Sequence, residues 1–513
     1  MAKLFDRVFH IVFLSIFIIV TIIAVCSICG KSIIAVVLGA AYIFLAVWGF
    51  SKLKKRFYDI SDKKLTLTFV IMIVLMLIIQ LIVAFTLAAK PTSDWEIINE
   101  IATSYAHNGN MDHIYDNLPK FNNYLKRYPN NNAIAILFSL YYRALYLITG
   151  DIPIQAPIVL NTLFINAAVV FCFLTAKKAF GNFHALVTAI ICFLFLPYYT
   201  YCPYFYTDSI SMPFCILSIY LFICAYDSKK LLTKIILFFF SGLVCALGYA
   251  LKGSIAIVLI AVIVYMIYKG GIKKLLLGSG MIIAGFLALT VAFNAFIATF
   301  NINDEVSKVK DKYPLTHWVM MGLKGNGGYN REDSKLTAHA GDYDDKKAAN
   351  IEVINQRLSD YGFFGLMGHL GEKIEFTWSD GTYFITNYIY KPLDKNNFLN
   401  GIISDVRNGT GFYIFSSAMH ILILCMVCVS LFFCIKKPPL NYITLMHILM
   451  FGVFIFFLIW ETRSRYLFNF TPVYIMICAD GILRTVDRFS KPETLGNKLQ
   501  RQRKQRLRCI KAA

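Results

Sequence analysis

Acidic and cationic side chains recur in this sequence just beyond long apolar runs, where a chain built for lipid surroundings has little structural use for them. Asp94 and Glu96 lie in Thr92-Ser93-Asp94-Trp95-Glu96, directly after an apolar run ending near Ala89. Asp208 closes the turn Pro203-Tyr204-Phe205-Tyr206-Thr207-Asp208. Lys252 sits in a tight Lys-Gly turn between two apolar stretches, and Arg463 and Arg465 share another short turn with Glu461. A carboxylate in such a place suits proton abstraction or cation binding. A Lys or Arg there suits a phosphate, because a charge-assisted bond at the edge of a bilayer is poorly screened. Each residue also has a purely structural reading. Ser93 and Asp94 fit a helix cap with Glu96 in the first turn, and both readings of that stretch can hold together. A single Lys or Arg at a helix end snorkels to the headgroups. Three cations and two acids in short turns form a pattern that snorkelling alone does not explain.

The elements that must carry these residues follow from composition. Of 513 residues, 58% are apolar and 16% charged, with 44 Phe and 30 Tyr, far more apolar surface than one soluble core hides. Repeated apolar runs of about 18–25 residues read as bilayer-spanning helices. The first begins near His10, lacks a small-residue cleavage pattern and is followed at once by another, so it reads as an anchor. The net charge of +20 comes from Lys and Arg gathered in alternate loops, which excludes the nucleic-acid reading that a soluble protein would invite. The cysteine pairs Cys26/Cys29 and Cys425/Cys428 have metal-like spacing but aliphatic or aromatic flanks, and read as small core residues.

Hydropathy and loop charge predict twelve spans, near 9–29, 33–50, 66–89, 154–176, 183–199, 209–226, 235–251, 255–268, 275–296, 412–434, 442–460 and 466–483. Both termini then lie in the cytoplasm. The apolar stretch 133–148 is short, holds Arg143 and reads as an interfacial helix on the outer leaflet. The chain divides into an N-terminal hairpin with a basic loop (1–65), a transmembrane core (66–300) with a first outer loop (90–150), a large outer segment (301–411), C-terminal spans (412–485) and a basic tail (486–513). The fold expected is an all-α integral membrane protein of about twelve helices, with all the residues singled out above at its outer face.

Glycosyl transfer from a polyprenyl phosphate needs lipid phosphate and a carboxylate together at an outer membrane surface. The leaving phosphate is a weak base that needs no proton, so cations stabilise its charge, whereas the acceptor hydroxyl needs a carboxylate to take its proton. In layout the chain resembles the membrane glycosyltransferases that use lipid-phosphate sugars, the GT-C group containing protein O-mannosyltransferases and aminoarabinose transferases. The resemblance rests on Ser-Asp-Trp-Glu at 93–96 opening the first outer loop, Tyr206-Thr207-Asp208 after Lys-Lys-Ala-Phe-Gly at 177–181, the Lys252-Gly253 turn, and Arg463-Ser464-Arg465-Tyr466 followed by Pro472. It implies that Asp94 is the general base, that Asp208 supports the site, and that Lys252, Arg463 and Arg465 hold the donor phosphate. The sequence departs from that pattern in its two extra N-terminal spans, in Asp94-Trp95-Glu96 where the family has an adjacent Asp-Glu pair, and in having no soluble domain after the last span. These departures bear on the acceptor and on whether Glu96 serves as a second acid.

The segment 301–408 is where acceptor choice is expected, with Trp318 and Trp378 as candidates to stack on a sugar, against ordinary packing on the membrane surface. His317, beside the first of them, has no partner spacing for a metal site and reads as structural. The Gly325-Asn326-Gly327-Gly328 loop lacks the spacing and the preceding strand of a nucleotide fingerprint. No cofactor is required; Asp94 and Asp208 could share a divalent cation, but the nearby cations make one unnecessary. The partners expected are a polyprenyl-phosphate-linked sugar, a cell-envelope acceptor and the bilayer, with the protein in a bacterial plasma membrane. A transporter or flippase of a lipid-linked glycan is the competing class. It calls for charges near helix midpoints and for two similar halves, whereas the charges here stand at helix ends and no repeat is evident.

Overall fold

The computed structural model of the chain describes residues 2–111, 114, 119–269, 271–300, 302, 310–394, 397, 399, 411–436 and 441–489. It is all-helical: among the described residues the only extended pairing is an isolated bridge between Ala89 and Pro392. The chain begins with α1 (Ala2–Lys31), α2 (Ile33–Phe57) and α3 (Asp62–Thr86), then α4 (Ser93–Asn108), α5 (Pro119–Arg127) and α6 (Asn132–Thr149). Six further membrane helices follow: α7 (Gln155–Phe180), α8 (Asn182–Leu194), α9 (Met212–Asp227), α10 (Leu231–Leu251), α11 (Ala256–Lys269) and α12 (Ile272–Ala298). The large loop holds α13 (Thr316–Gly322), α14 (Arg331–His339) and α15 (Tyr343–Trp378), and α16 (Gly411–Lys436), α17 (Tyr442–Ile459) and α18 (Thr471–Phe489) close the bundle. Serines and asparagines mark several entries: Ser32, Ser61 and Asn441 each accept a backbone N–H in the first turn of α2, α3 and α17.

Among the described residues eleven helices are long and apolar enough to cross a membrane, and Pro129–Thr149 is one of them, whereas Asn182–Leu194 and Gly253–Lys269 are shorter. Ion pairs decide which of these cross. Lys177 near the end of α7 meets Asp62 at the start of α3 at 3.5 Å, and Lys178 meets Asp227 at the end of α9 at 3.4 Å. Lys54 pairs with Asp487, joining the ends of α2 and α18 on that same basic face. Since α3 starts and α7 ends on one face, the segment between them leaves and returns on the other. Pro129–Thr149 therefore does not cross, as its reading as an interfacial helix requires. The two shorter helices do cross. Asn182 at the start of α8 bonds Asp62 on the basic face, while Tyr198 lies level with Gln80 near the far end of α3. Gly253–Lys269 runs from Lys252 beside Asp208 to Lys269 over the ring of Tyr442, which bonds Asp227 on the basic face. Removing one of the eleven and adding two gives twelve spans. Isoleucine, valine and phenylalanine side chains on α1, α2 and α3 stay exposed, a surface suited to lipid.

Close backbone approaches bind the bundle. A Cβ at Gly285 of α12 would stand 2.0 Å from the Phe239 carbonyl oxygen of α10, and one at Gly481 of α18 would stand 2.1 Å from that of Met426 in α16. Small residues at such crossings let helices pack by direct contact where no hydrophobic effect separates them from lipid.

The large loop departs from a purely external segment. Its long helix α15 kinks at Gly362 (φ 53°, ψ −165°), and the part beyond the kink descends beside α1. Ser27 of α1 donates to Glu375 at 2.8 Å, and Phe17 meets the Trp378 ring edge-on at 5.6 Å. Before the kink, Arg357 grips Asp333 with two bonds of 2.8 and 2.6 Å and also donates to the Met320 carbonyl, which fixes α13 and α14 on α15.

Candidate functional site

At the face opposite the basic loops, the outward turns converge on Asp208. The turn that carries it is held from below, where Asn161 of α7 donates to the carbonyls of Tyr201, Cys202 and Tyr204 at 2.9, 2.9 and 3.1 Å. Asp208 is wholly buried, and the Lys252 ammonium donates to its Oδ1. Arg465 approaches from the 461–466 turn, its Nε 4.0 Å from Asp208 Oδ2 and one terminal nitrogen donating to the Tyr204 hydroxyl at 2.8 Å. The rings of Tyr206, Tyr388 and Tyr466 enclose the guanidinium at 5.5, 5.2 and 5.1 Å, and Lys252 lies 4.5 Å over Tyr466. Such burial costs far too much for lone charges and persists because they are paired. The pairing is incomplete. Asp208 Oδ2, Arg465 Nε and Arg463 Nε are buried without a hydrogen-bond partner.

Glu461, 7% exposed, shares this turn with the arginines and accepts from the Tyr466 hydroxyl at 3.2 Å. Burial pushes its carboxyl above the usual range against the pull of Arg463 and Arg465, and Asp94 adds to the rise. The large loop clamps the turn: Glu461 N donates to the Trp318 carbonyl at 3.0 Å, and Thr462 N to that of Gly327 at 2.9 Å. Asp94 is half-buried at the start of α4, close to Tyr124 and Tyr206. Asp94, Asp208, Lys252, Arg463 and Arg465 thus meet on one face, drawn from four separate turns.

A helix does start here with Asp94 and Glu96 in its first turn, as the cap reading required, but neither Ser93 nor Asp94 is its cap. The cap position of α4 is Thr92, with no side-chain bond, and Ser93 has a left-handed φ of 55°. A non-glycine residue held there costs roughly 1–3 kcal/mol and lasts only where its surroundings fix it. Here the fixing is backbone pairing: Lys90 N bonds the Lys391 carbonyl at 2.9 Å and Leu393 N that of Ala88 at 2.8 Å. Tyr383 and Phe384, at 54° and 65°, are the other non-glycine residues with positive φ among those described, and they line the same face. Asp380 holds them, accepting from Thr382 N at 2.9 Å and Phe384 N at 2.7 Å while Ser464 donates to it at 2.9 Å. Arg463 lies 5.3 Å over the Phe384 ring.

Sequence reasoning missed Asp380 and Asn161. The first carries a signal in Asp380-Gly381-Thr382, the composition of a side-chain-capped turn. The second is one Asn inside an apolar run, with nothing local to mark its partners.

Four of the residues singled out stand apart. Glu96 points to solvent from α4, so it adds no second acid. Trp378 is 2% exposed, its ring enclosed by Phe17, Phe454 and Tyr474, which leaves no face for a sugar. Trp318 is half-buried and stacks one face on Trp460 at 5.6 Å and 8°, so it meets the site through its carbonyl bond to Glu461 and not through its ring. His317 is buried, bonded to Thr337 at 2.7 Å, and its pKa is pushed down to about 4 by that burial. The Gly-rich loop lies against Lys373, whose carbon chain a Cβ at Gly327 would meet at 2.7 Å. Asp208 is engaged by Lys252, and among the described residues no group of three metal ligands gathers at this face.

A family model described as "Conserved hypothetical integral membrane protein" matches residues 2–482, and the chain belongs to that family. No curated protein matches it.

Proposed function

We propose that this family member is a membrane glycosyltransferase that moves a sugar from a polyprenyl-phosphate donor to a hydroxyl of a cell-envelope acceptor. The observation that carries the reading is the pair of guanidinium groups at 463 and 465, whose buried Nε–H donors have no acceptor. Buried donors are almost always satisfied, and an anion is the partner that suits a guanidinium N–H. Phosphate is favoured over a free carboxylate because the cations sit at the membrane edge, within reach of a lipid headgroup. The basic loops support a reading in which the opposite face is cytoplasmic and the site lies outside it, in a bacterial plasma membrane.

In this account Arg463, Arg465 and Lys252 hold the donor phosphate, and Asp208 keeps two of these cations in place. The acceptor oxygen attacks the anomeric carbon, and the bond from that carbon to the phosphate oxygen breaks with its electron pair going to the phosphate. The cations stabilise the charge that develops there. The acceptor proton passes to Asp94, a half-buried carboxylate at this face that stands in no ion pair among the described residues, whereas Asp208 is taken up by Lys252 and Arg465.

The test is transfer or hydrolysis of radiolabelled sugar from synthetic polyprenyl-phosphate donors by the purified protein in lipid discs. Turnover with at least one such donor, and a rise in KM of about tenfold or more in Arg465→Gln, are expected, since one charge-assisted contact is worth about 1.5–3 kcal/mol. Absence of turnover with every donor, together with glycan movement across sealed vesicles, would replace the enzyme by a transporter.

A further inference from the structure

A second polar cluster lies at the other end of the bundle, buried where α1, α16, α17 and α18 meet. His10 Nε2 faces His447 Nδ1 at 3.0 Å, and with Cys434 these side chains bring two nitrogens and a sulfur within 4.8 Å of one another. The surrounding bonds fix which ring nitrogens carry hydrogen. His10 Nδ1 lies 2.7 Å from the Asp6 carbonyl oxygen and 3.2 Å from its carboxylate, and since both only accept, His10 must donate there. Ser430 lies 2.6 Å from Asp480, whose same oxygen meets Arg484 Nε at 2.6 Å. A carboxylate so paired is an acceptor, so the one hydroxyl hydrogen of Ser430 goes to it. His447 Nε2, 3.2 Å from Ser430, must then be the donor in that contact. Two neutral imidazoles arranged this way present bare lone pairs to each other across 3.0 Å. Something positive belongs between them.

We propose that His10, His447 and Cys434 bind a zinc-class divalent cation that pins the first span to the C-terminal helices. Two imidazoles and one thiolate are a ligand set suited to zinc. Each histidine's other nitrogen is already anchored, His10 on Asp6 and His447 on Ser430, as metal-bound histidines usually are. On binding, the Cys434 thiol proton is released to solvent at the basic face and the sulfur takes its place on the metal. Charge closes as well: the thiolate and the Asp6 carboxylate, whose buried Oδ2 lacks a hydrogen-bond partner, offset the two positive charges of the ion. The three side chains are buried and remote from Asp208, so the role of the site is structural.

The full-length protein, purified in detergent without added metal, is assayed for bound zinc and for the spectrum of its cobalt-loaded form. Close to one zinc per chain is expected, falling several-fold in His447→Gln, with a thiolate-to-cobalt absorption band that Cys434→Ser removes. Should Cys434→Ser fail to fold, the wild type still decides. Peptide mapping after alkylation then shows Cys434 protected when metal-loaded and modified after chelation. Zinc at trace level, equal in wild type and His447→Gln, would overturn the site and leave the two histidines sharing a proton. Bound zinc with neither a thiolate band nor protection of Cys434 would overturn it equally.

Discussion

Asp208 serves two cations with one carboxylate, and its removal tests how the charges are held. Asp208→Asn leaves Lys252 and Arg465 buried with their shared counter-ion gone. Such a loss costs roughly 3–5 kcal/mol. A marked fall in thermal unfolding temperature is expected, partly recovered in Asp208→Asn/Lys252→Met, where one of the stranded charges is also removed. No recovery in the double variant would mean that Lys252 matters for packing and not for charge. At this scale the sequence was informative where a charge stood against its surroundings. Asp94, Asp208, Lys252, Arg463 and Arg465 are conspicuous because little else near them is polar. It left the aromatic residues open: Trp318 and Trp378 are amphipathic side chains suited both to a sugar face and to packing, and only their neighbours show which.

Among elements, the large loop has the least legible placement and the clearest pH signature. Lys373 lies on the part of α15 that descends beside α1, fully buried, donating to the Gly322 carbonyl at 2.8 Å, with Glu461 nearby. Burial lowers its pKa from 10.5 to about 7, against the pull of Glu461. Between those values the folded chain binds fewer protons than the unfolded one, so stability rises with pH across that window and the penalty is fully present below about 7. Unfolding temperature is expected to climb as pH rises from 7 towards 10.5, and Lys373→Met should flatten the slope. An unchanged slope would assign it to another group. Helix contacts make a separate prediction. In Gly285→Val a side chain must enter where the Phe239 carbonyl lies 2.0 Å from a Cβ position, forcing α10 and α12 apart. A loss of about 1–3 kcal/mol is expected, read as lower thermal stability in detergent. The spans themselves were legible because lipid demands long apolar runs, and the interfacial reading of 133–148 followed from keeping basic loops on one face. The descent of 363–378 was not legible. Its Glu372, Lys373 and Glu375 look external, and only the glycine kink at 362 and contacts with α1 bring it inward.

Across the whole molecule, charge is sorted by face. One end of the bundle carries the basic loops and both ends of the described chain, and the other carries a buried set of acids, cations and tyrosines drawn from turns hundreds of residues apart. Strain is sorted the same way, with Ser93, Tyr383 and Phe384 at the second end. That separation is why the chain reads as an enzyme working at one surface more readily than as a conduit between two. The ionisable residues near His447 qualify the expectation that charges stand only at helix ends, but they lie at the opposite end of the bundle from Asp208. The central claim, that this strained and charged face is a reaction site with Asp94 as its base, is tested most directly by Asp94→Asn. The measurement is sugar transfer from a polyprenyl-phosphate donor in lipid discs, alongside binding of the same donor. The account predicts transfer reduced by about 100-fold or more with donor binding retained, in line with removal of a general base. Transfer at the wild-type rate in Asp94→Asn would contradict it.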